Sequence, residues 1–345
     1  MDEVLVVALR WTEVRDIIKD DDKAKRDKII NPVQLRWAAS EGELVVSVGG
    51  IRSCYLSPWA ESDLCNWLGI PVKYFRECPA DLKKLQIDWL IKNRLSDETK
   101  WRVRLKNKMV RAFVSEHFQP FDNHKVVSLW ERNGDPKLFD YELMLDDTFF
   151  FLRALTHDKS YSQKQLGGIQ AGVFIRNSEV GRSALAMGAS VYRLICKNGM
   201  VEVLEKKPPL YQRHIWIDEN ELTGRLDSAV FGALDLAQQT TKRLQKARKI
   251  RADLNSIVET LDRFKLNERV QQSIINQFIS EADNSAFGVV NAMTAAARDL
   301  NPFERHQLEA DAWRFLTSVA NESSFTREAG RSSVSSRLRR SVIFS

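Results

Sequence analysis

The chain has 345 residues and little of what marks a membrane, disulfide-bonded or metal-cluster protein. Its longest run without a charged residue, Asn284 to Ala297, is 14 residues, short of the about 18 apolar residues that a spanning helix needs. The opening MDEVLVVALRWTEVRD puts acids before a short apolar stretch and has no small-residue cleavage site, so no secretory signal is predicted. Four cysteines (Cys54, Cys65, Cys78 and Cys196) are too few and too scattered for a disulfide framework, and the spacing of the first three fits no zinc-ligand pattern. A reduced, cytoplasmic setting is the expectation. Phosphate-cradling Gly-x-x-x-x-Gly-Lys-Ser/Thr, Gly-x-Ser-x-Gly and His-Glu-x-x-His motifs are all missing, and Leu166-Gly167-Gly168-Ile169 lacks dinucleotide-loop spacing. The five histidines are scattered singly. No cofactor is expected, and an enzyme is the less favoured reading.

What is present is a basic balance. Lys and Arg number 52 against 46 Asp and Glu, a formal charge of +6. An excess of this size points to a polyanionic partner only where the cations cluster on one face.

The apolar periodicity predicts an α+β fold: a central antiparallel β-rich region flanked by an N-terminal helical block and a C-terminal helical segment. Residues 1–30 read as a charged leader, with Val4 to Leu9 followed by KDDDKAKRDK. Residues 31–100 read as a helical block with one short strand at Leu44 to Val48. Ser57-Pro58 opens a helix that Gly69 closes. Further helices are predicted over 72–77 and 81–95, the latter from Leu82, Leu85, Trp89 and the Ile87/Leu90/Ile91 group. From 101 to 225 the period shortens to two, with strands predicted at 101–106, 109–115, 125–132, 141–145, 149–155, 172–176, 191–196, 200–204 and 213–217. From 226 to 322 the pattern is helical again. Ala247, Ile250, Leu254, Ile257, Leu261 and Phe264 predict a long amphipathic helix over 227–266. Three more helices follow near 268–282, 286–300 and 302–319. The Ser/Arg-rich tail, 323–345, reads as disordered.

Three basic clusters stand out. In the 100–111 hairpin, alternation sends Trp101, Val103 and Leu105 to the core and Arg102, Arg104 and Lys106 to the opposite face, with Lys108 and Arg111 nearby. Like charges two apart on a strand repel unless anions offset them, and a nucleic-acid backbone would do so. A solvated edge strand is the alternative. The second cluster is Lys242, Arg243, Lys246, Arg248, Lys249 and Arg251, with 242, 246 and 249 on one helical face, equally readable as a solvated surface. The third is the tail: Arg327, Arg331, Arg337, Arg339 and Arg340 among eight serines. Phe113 shares the alternation of Arg111 and could stack on bases, but a core position is the favoured reading for it and for the nine tryptophans. Asp146-Asp147, His157-Asp158 and Asp122-Asn123-His124 are the pairings from which a metal site would be built.

Four segments carry a family resemblance. They are LSPWAESDLCNWLGIPVKYF (Leu56 to Phe75), VRAFVSEHFQPFDNHKVV (Val110 to Val127), GVFIRNSEVGRSALAMGASVYRLICKNGM (Gly172 to Met200) and FGVVNAMTAAARDL (Phe287 to Leu300). Together they resemble a phage/plasmid-like protein family, a domain of unknown function, over roughly Asn31 to Ala320. The resemblance implies an accessory protein of phages or plasmids acting in DNA replication or recombination, and it implies no catalytic residues. The matched positions with usable chemistry are Arg111, Asp122, Asn123, Asn177, Arg182, Arg193, Lys197 and Asn198. Of these, Arg182, Arg193 and Lys197 join the nucleic-acid-binding candidates. The outline of a β-rich centre between helices is also similar to single-strand annealing recombinases.

The expected function is therefore a non-enzymatic nucleic-acid-binding protein, with single-stranded DNA favoured. One alternative is a structural protein self-assembling as a homo-oligomer through its C-terminal helices. Another is a metal-dependent nuclease using Asp146, Asp147 or His157.

Overall fold

A computed structural model describes residues 4–133, 135–157, 162–163, 169–193, 198–201, 210–215, 217–252 and 254–321. The chain runs β1 (Val4–Leu9), α1 (Trp11–Asp22), β2 (Lys25–Ile30), β3 (Arg36–Ser40), β4 (Glu43–Val48), β5 (Ile51–Leu56), α2 (Pro58–Leu68), α3 (Val72–Glu77), α4 (Ala80–Arg94), β6 (Trp101–Lys106), β7 (Met109–Ser115) and α5 (Asn123–Asn133). It continues through β8 (Phe139–Leu145), β9 (Phe150–Thr156), β10 (Ser162–Gln163), β11 (Ile169–Asn177), β12 (Leu185–Arg193), β13 (Asn198–Val201) and β14 (Leu210–Gln212). The C-terminal helices are α6 (Glu219–Ala247), α7 (Leu254–Arg263), α8 (Glu268–Glu281), α9 (Ala286–Ala296) and α10 (Pro302–Asn321). This is the expected α+β class, with the strands divided between two sheets.

The six-stranded sheet has the order β2-β6-β7-β5-β4-β3, and only the β5–β7 pair is parallel. Trp101, Val103 and Leu105 alternate into its core as predicted, meeting Val46, Cys54, Leu64, Ile87 and Ile91 from β4, β5, α2 and α4. Phe113 lies in this core too, edge-on to Trp101 with ring centroids 5.4 Å apart, so it is not available to stack on bases. The second sheet has the order β1-β8-β9-β11-β12-β13, with β10 beside β11 and β14 beside β12. The chain forms two compact units. One comprises Met1–Lys159, Gly172–Ser190 and Leu204–Leu234; the other comprises Ser160–Ala171, Val191–Val203 and Asp235–Ser345.

Local signals placed several elements correctly. Ser57 Oγ accepts the Ala60 N–H at 3.0 Å, Pro58 opens α2, and Gly69 ends it in the left-handed region at φ 68°. Elsewhere tertiary structure overrode local pattern. Residues 1–30 are no separate leader, because β1, α1 and β2 belong to the fold. The stretch 125–132 is helix α5 rather than a strand, and Val126, Val127, Leu129 and Trp130 are buried on the helix. Of the predicted strand Arg213 to Ile217, the described residues 213–215 and 217 are not in a strand; β14 lies just before them. The 227–266 helix is broken in two. At the break, Ala252 N–H donates to the Asn284 carbonyl at 3.1 Å, and Ala286 N–H donates to the Ile250 carbonyl at 2.8 Å. Backbone groups that would have continued the helix are thus taken by the α8–α9 connection. On α4 the two halves of the predicted stripe separate: Ile87 and Ile91 are buried, whereas Leu85 and Trp89 are exposed. The basic tail and Cys196 lie outside the described residues.

β11 approaches β9 closely at one point. A Cβ at Gly172 would press into the Ala154 backbone carbonyl, which cannot yield as a side chain can. Gly172→Ala is therefore expected to lose about 1–3 kcal/mol of stability, read as a lowered urea midpoint. An unchanged midpoint would mean that β11 does not pair with β9 in this register.

Candidate functional site

β2 pairs antiparallel with β6, so Asp27 stands opposite Arg104 and Lys25 opposite Lys106. In the β6–β7 hairpin the ladder shifts register: Arg104 faces Ala112 and Leu105 faces Val110, leaving Arg111 between them as a bulge. The bulge re-aims Arg111 onto the turn that follows β11. The hairpin cations consequently converge on carboxylates from other segments of the chain.

Arg104 is 2% exposed. Its Nε donates to Asp27 Oδ1 at 3.0 Å, its Nη2 to Asp122 Oδ2 at 2.7 Å, and its Nη1 to the Glu179 carbonyl. Arg102 reaches Asp27 Oδ2 at 3.6 Å. Lys106 Nζ sits 2.8 Å from Asp21 Oδ1 and 3.0 Å from Asp147 Oδ1. Arg111 Nη1 lies 2.8 Å from Glu179 Oε2, and its Nη2 donates to the Asp147 carbonyl at 2.7 Å. Lys25 pairs with Asp21 and, at 2.8 Å, with Glu179 Oε2. Five cations (Lys25, Arg102, Arg104, Lys106 and Arg111) thus meet five anions (Asp21, Asp27, Asp122, Asp147 and Glu179).

Glu179 is the centre of this seam and is 1% exposed. Burial alone would raise its carboxyl pKa, but the Arg111 and Lys25 charges and the Asn123 N–H at 2.9 Å hold it well below the ordinary range. Asp21 shows the same contest: burial pushes it up, and Lys25 and Lys106 bring it down overall. Burial would lower Lys106, but its hydrogen bonds to Asp21 and Asp147 raise it. Arg104 is likewise raised: its burial is opposed by Asp122 first and then by the other carboxylates.

The seam corrects the expectation of an open basic ribbon. Arg104 and Arg111 are buried, and Arg102 and Lys106 are ion-paired. Of the hairpin candidates only Lys108, at the turn, is exposed and without an ion pair among the described residues. Arg182 is half-buried: its Nη1 donates to Thr148 Oγ1 at 2.8 Å and its guanidinium lies 5.4 Å from the Trp59 ring. Arg193 falls on the backbone of β12, and its side chain and all of Lys197 lie outside what is described. Asn177 ties the turn together, donating to the Phe121 carbonyl at 2.8 Å and to Asn123 Oδ1 at 3.0 Å. A signal for the seam was present in the sequence. Asp20-Asp21-Asp22 and Asp27 interleave with the basic residues of the opening segment, a charge set complementary to β6 once the two strands pair.

The second cluster behaves differently. Lys242 and Lys246 on α6, with Lys249 and Arg251 just beyond it, are exposed, and none is ion-paired among the described residues. Their position suits the negative end of the α6 dipole, which offsets part of their mutual repulsion.

The residues with metal-ligand chemistry are committed elsewhere. Asp146 Oδ1 accepts the Thr148 and Phe149 N–H groups, Asp147 holds Lys106, and His157 pairs with Asp140 at 3.0 Å. Asp22, Asp122 and His124 bring one potential ligand atom each to within 4.8 Å of one another. Arg104 already neutralises Asp122, however, and Asp22 is bonded to His124 at 3.1 Å. No helix among the described residues is long and apolar enough to cross a membrane. Comparison with protein-family models, curated proteins and solved structures finds no match to this chain.

Removing one member of a buried pair strands its partner's charge. Glu179→Gln leaves Arg111 and Lys25 undercompensated and is expected to lose about 3–5 kcal/mol in urea unfolding. Because the folded Glu179 pKa is depressed, its contribution is complete above the ordinary carboxyl value of 4.5 and is lost as pH falls further. The wild-type chain should therefore lose stability below that pH more steeply than the variant. Parallel acid profiles would contradict this role.

Proposed function

We propose that the chain is a non-enzymatic polyanion-binding protein that acts on nucleic acid, with single-stranded DNA the favoured ligand and a phage or plasmid its context. The supporting observation is the contrast between the two cation sets. Four of the five hairpin candidates, Arg102, Arg104, Lys106 and Arg111, are engaged by internal carboxylates, whereas Lys242, Lys246, Lys249 and Arg251 form a cluster that is exposed and, among the described residues, unpaired. Unpaired, clustered cations can neutralise a phosphate backbone, and the counterions it then releases drive binding. The phage/plasmid resemblance supplies the biological setting, and it rests on the four quoted segments alone.

This reading moves the binding surface from the hairpin to the end of α6. Reversing Lys242, Lys246, Lys249 and Arg251 together to Glu should weaken binding to a single-stranded oligonucleotide. The slope of log affinity against log salt should become shallower by about 0.7 for each phosphate that is no longer neutralised. Because these side chains are exposed, the urea midpoint should hold. Affinity and salt slope equal to wild type, in a folded variant, would overturn the reading. Light scattering with and without the oligonucleotide separates it from self-assembly: an assembly indifferent to DNA and salt favours the structural-protein alternative.

A further inference from the structure

His214 is a buried titratable group with no role in the seam or the α6 patch. It is 6% exposed, and neither ring nitrogen has a hydrogen-bond partner among the described residues. The ring lies flat on Phe118, with centroids 5.0 Å apart and planes inclined by 15°. The same Phe118 ring carries the Arg104 guanidinium at 5.8 Å. The backbone around His214 is held by Gln119: the Gln119 N–H donates to the His214 carbonyl at 2.8 Å, and the Gln119 side-chain oxygen accepts the Ile217 N–H. Just upstream, Leu210 to Gln212 forms β14 and pairs with β12. Residues 210–215 and Ile217 thus make a short clasp: a strand edge, one glutamine and one flat imidazole against Phe118.

We propose that this clasp is an acid-responsive latch, closed while His214 is neutral and opened by its protonation. A neutral imidazole tolerates an apolar, stacked position far better than a cation does, since the desolvation of a charged ring there outweighs the Gln119 backbone contact that favours it. Three charged groups act on it from the packed elements. Arg104 of β6 repels the protonated ring, while Asp122 ahead of α5 and Glu179 in the turn after β11 attract it. Both carboxylates are already engaged, Asp122 by Arg104 and Glu179 by Lys25 and Arg111. Burial dominates and brings the His214 pKa down to about 4 from its ordinary 6.5. The sign follows: the open clasp, with an ordinary imidazole, takes up the proton first, so falling pH favours opening. Opening uncovers Phe118 and unties the segment that leads into α6. The latch is independent of the polyanion reading, because it involves none of the α6 cations.

The test uses the full chain carrying isotopically labelled histidine. Imidazole resonances are followed by NMR from pH 8 to 4, and amide exchange over 210–217 is compared at pH 7 and pH 5 after correction for intrinsic rates. The expected result is a His214 ring that stays neutral to about pH 5 in the closed form, and an opening equilibrium about twentyfold larger at pH 5 than at pH 7. His214→Phe keeps the stack without the titration and should abolish the pH dependence over 210–217. A His214 that titrates near 6.5 without added exchange there overturns the latch, as does a His214→Phe variant that opens with acid like wild type. If that variant does not fold, the wild-type titration and exchange decide alone.

Discussion

The fold of the first unit depends on Glu179. A carboxylate buried to this degree is tolerable only if its charge is met, and Arg111, Lys25 and the Asn123 N–H meet it from a hairpin, an edge strand and a helix start. Around that point the neighbouring pairs fall into place. Arg104 bridges Asp27 and Asp122 and caps the Glu179 carbonyl, and Lys106 joins Asp21 to Asp147. The segments so connected are distant in sequence: β2, the hairpin, the Asp122 corner, the β8–β9 turn and the turn after β11. Apolar packing gives the six-stranded sheet its core, and the ion pairs fix what lies against its other face.

This arrangement changes what the chain's positive charge means. A net charge of +6 and a run of alternating Arg and Lys look like a phosphate-binding strand when read in one dimension. In three dimensions the run is balanced by acids supplied from elsewhere, and an exposed, unpaired cluster of cations sits at the end of α6. Net charge and clustering therefore indicate a polyanion partner only after internal compensation has been subtracted.

How much was legible in the sequence depended on the range of the determining interaction. The α2 boundaries followed from Ser57, Pro58 and Gly69 because capping is local. The inward set Trp101, Val103 and Leu105 followed from alternation. The 125–132 segment failed because four buried apolar residues in five positions satisfy either period. The break at Arg248–Ala252 failed because its cause is the backbone at Asn284 to Ala286, more than thirty residues away. Among the site residues, the clustered charge of Arg104 and Arg111 is plain in the sequence, but their buried environment is not. Glu179 and Asp147 were not legible as partners, since no local pattern ties a turn carboxylate to a hairpin far from it in sequence. The bulge at Arg111, which makes the Glu179 ion pair possible, also has no local signature.

Lys25, Arg102, Arg104, Lys106 and Arg111 are held by internal carboxylates, whereas Lys242, Lys246 and Lys249 are exposed and, among the described residues, unpaired. Amine-directed covalent labelling of the native chain, read residue by residue by mass spectrometry, tests this contrast most directly. Lys25 and Lys106 should react slowly, while Lys108, Lys242, Lys246 and Lys249 should react at the rate of exposed amines. Lys25 and Lys106 labelling as fast as Lys242 in the folded chain would contradict the seam and return the hairpin to the surface.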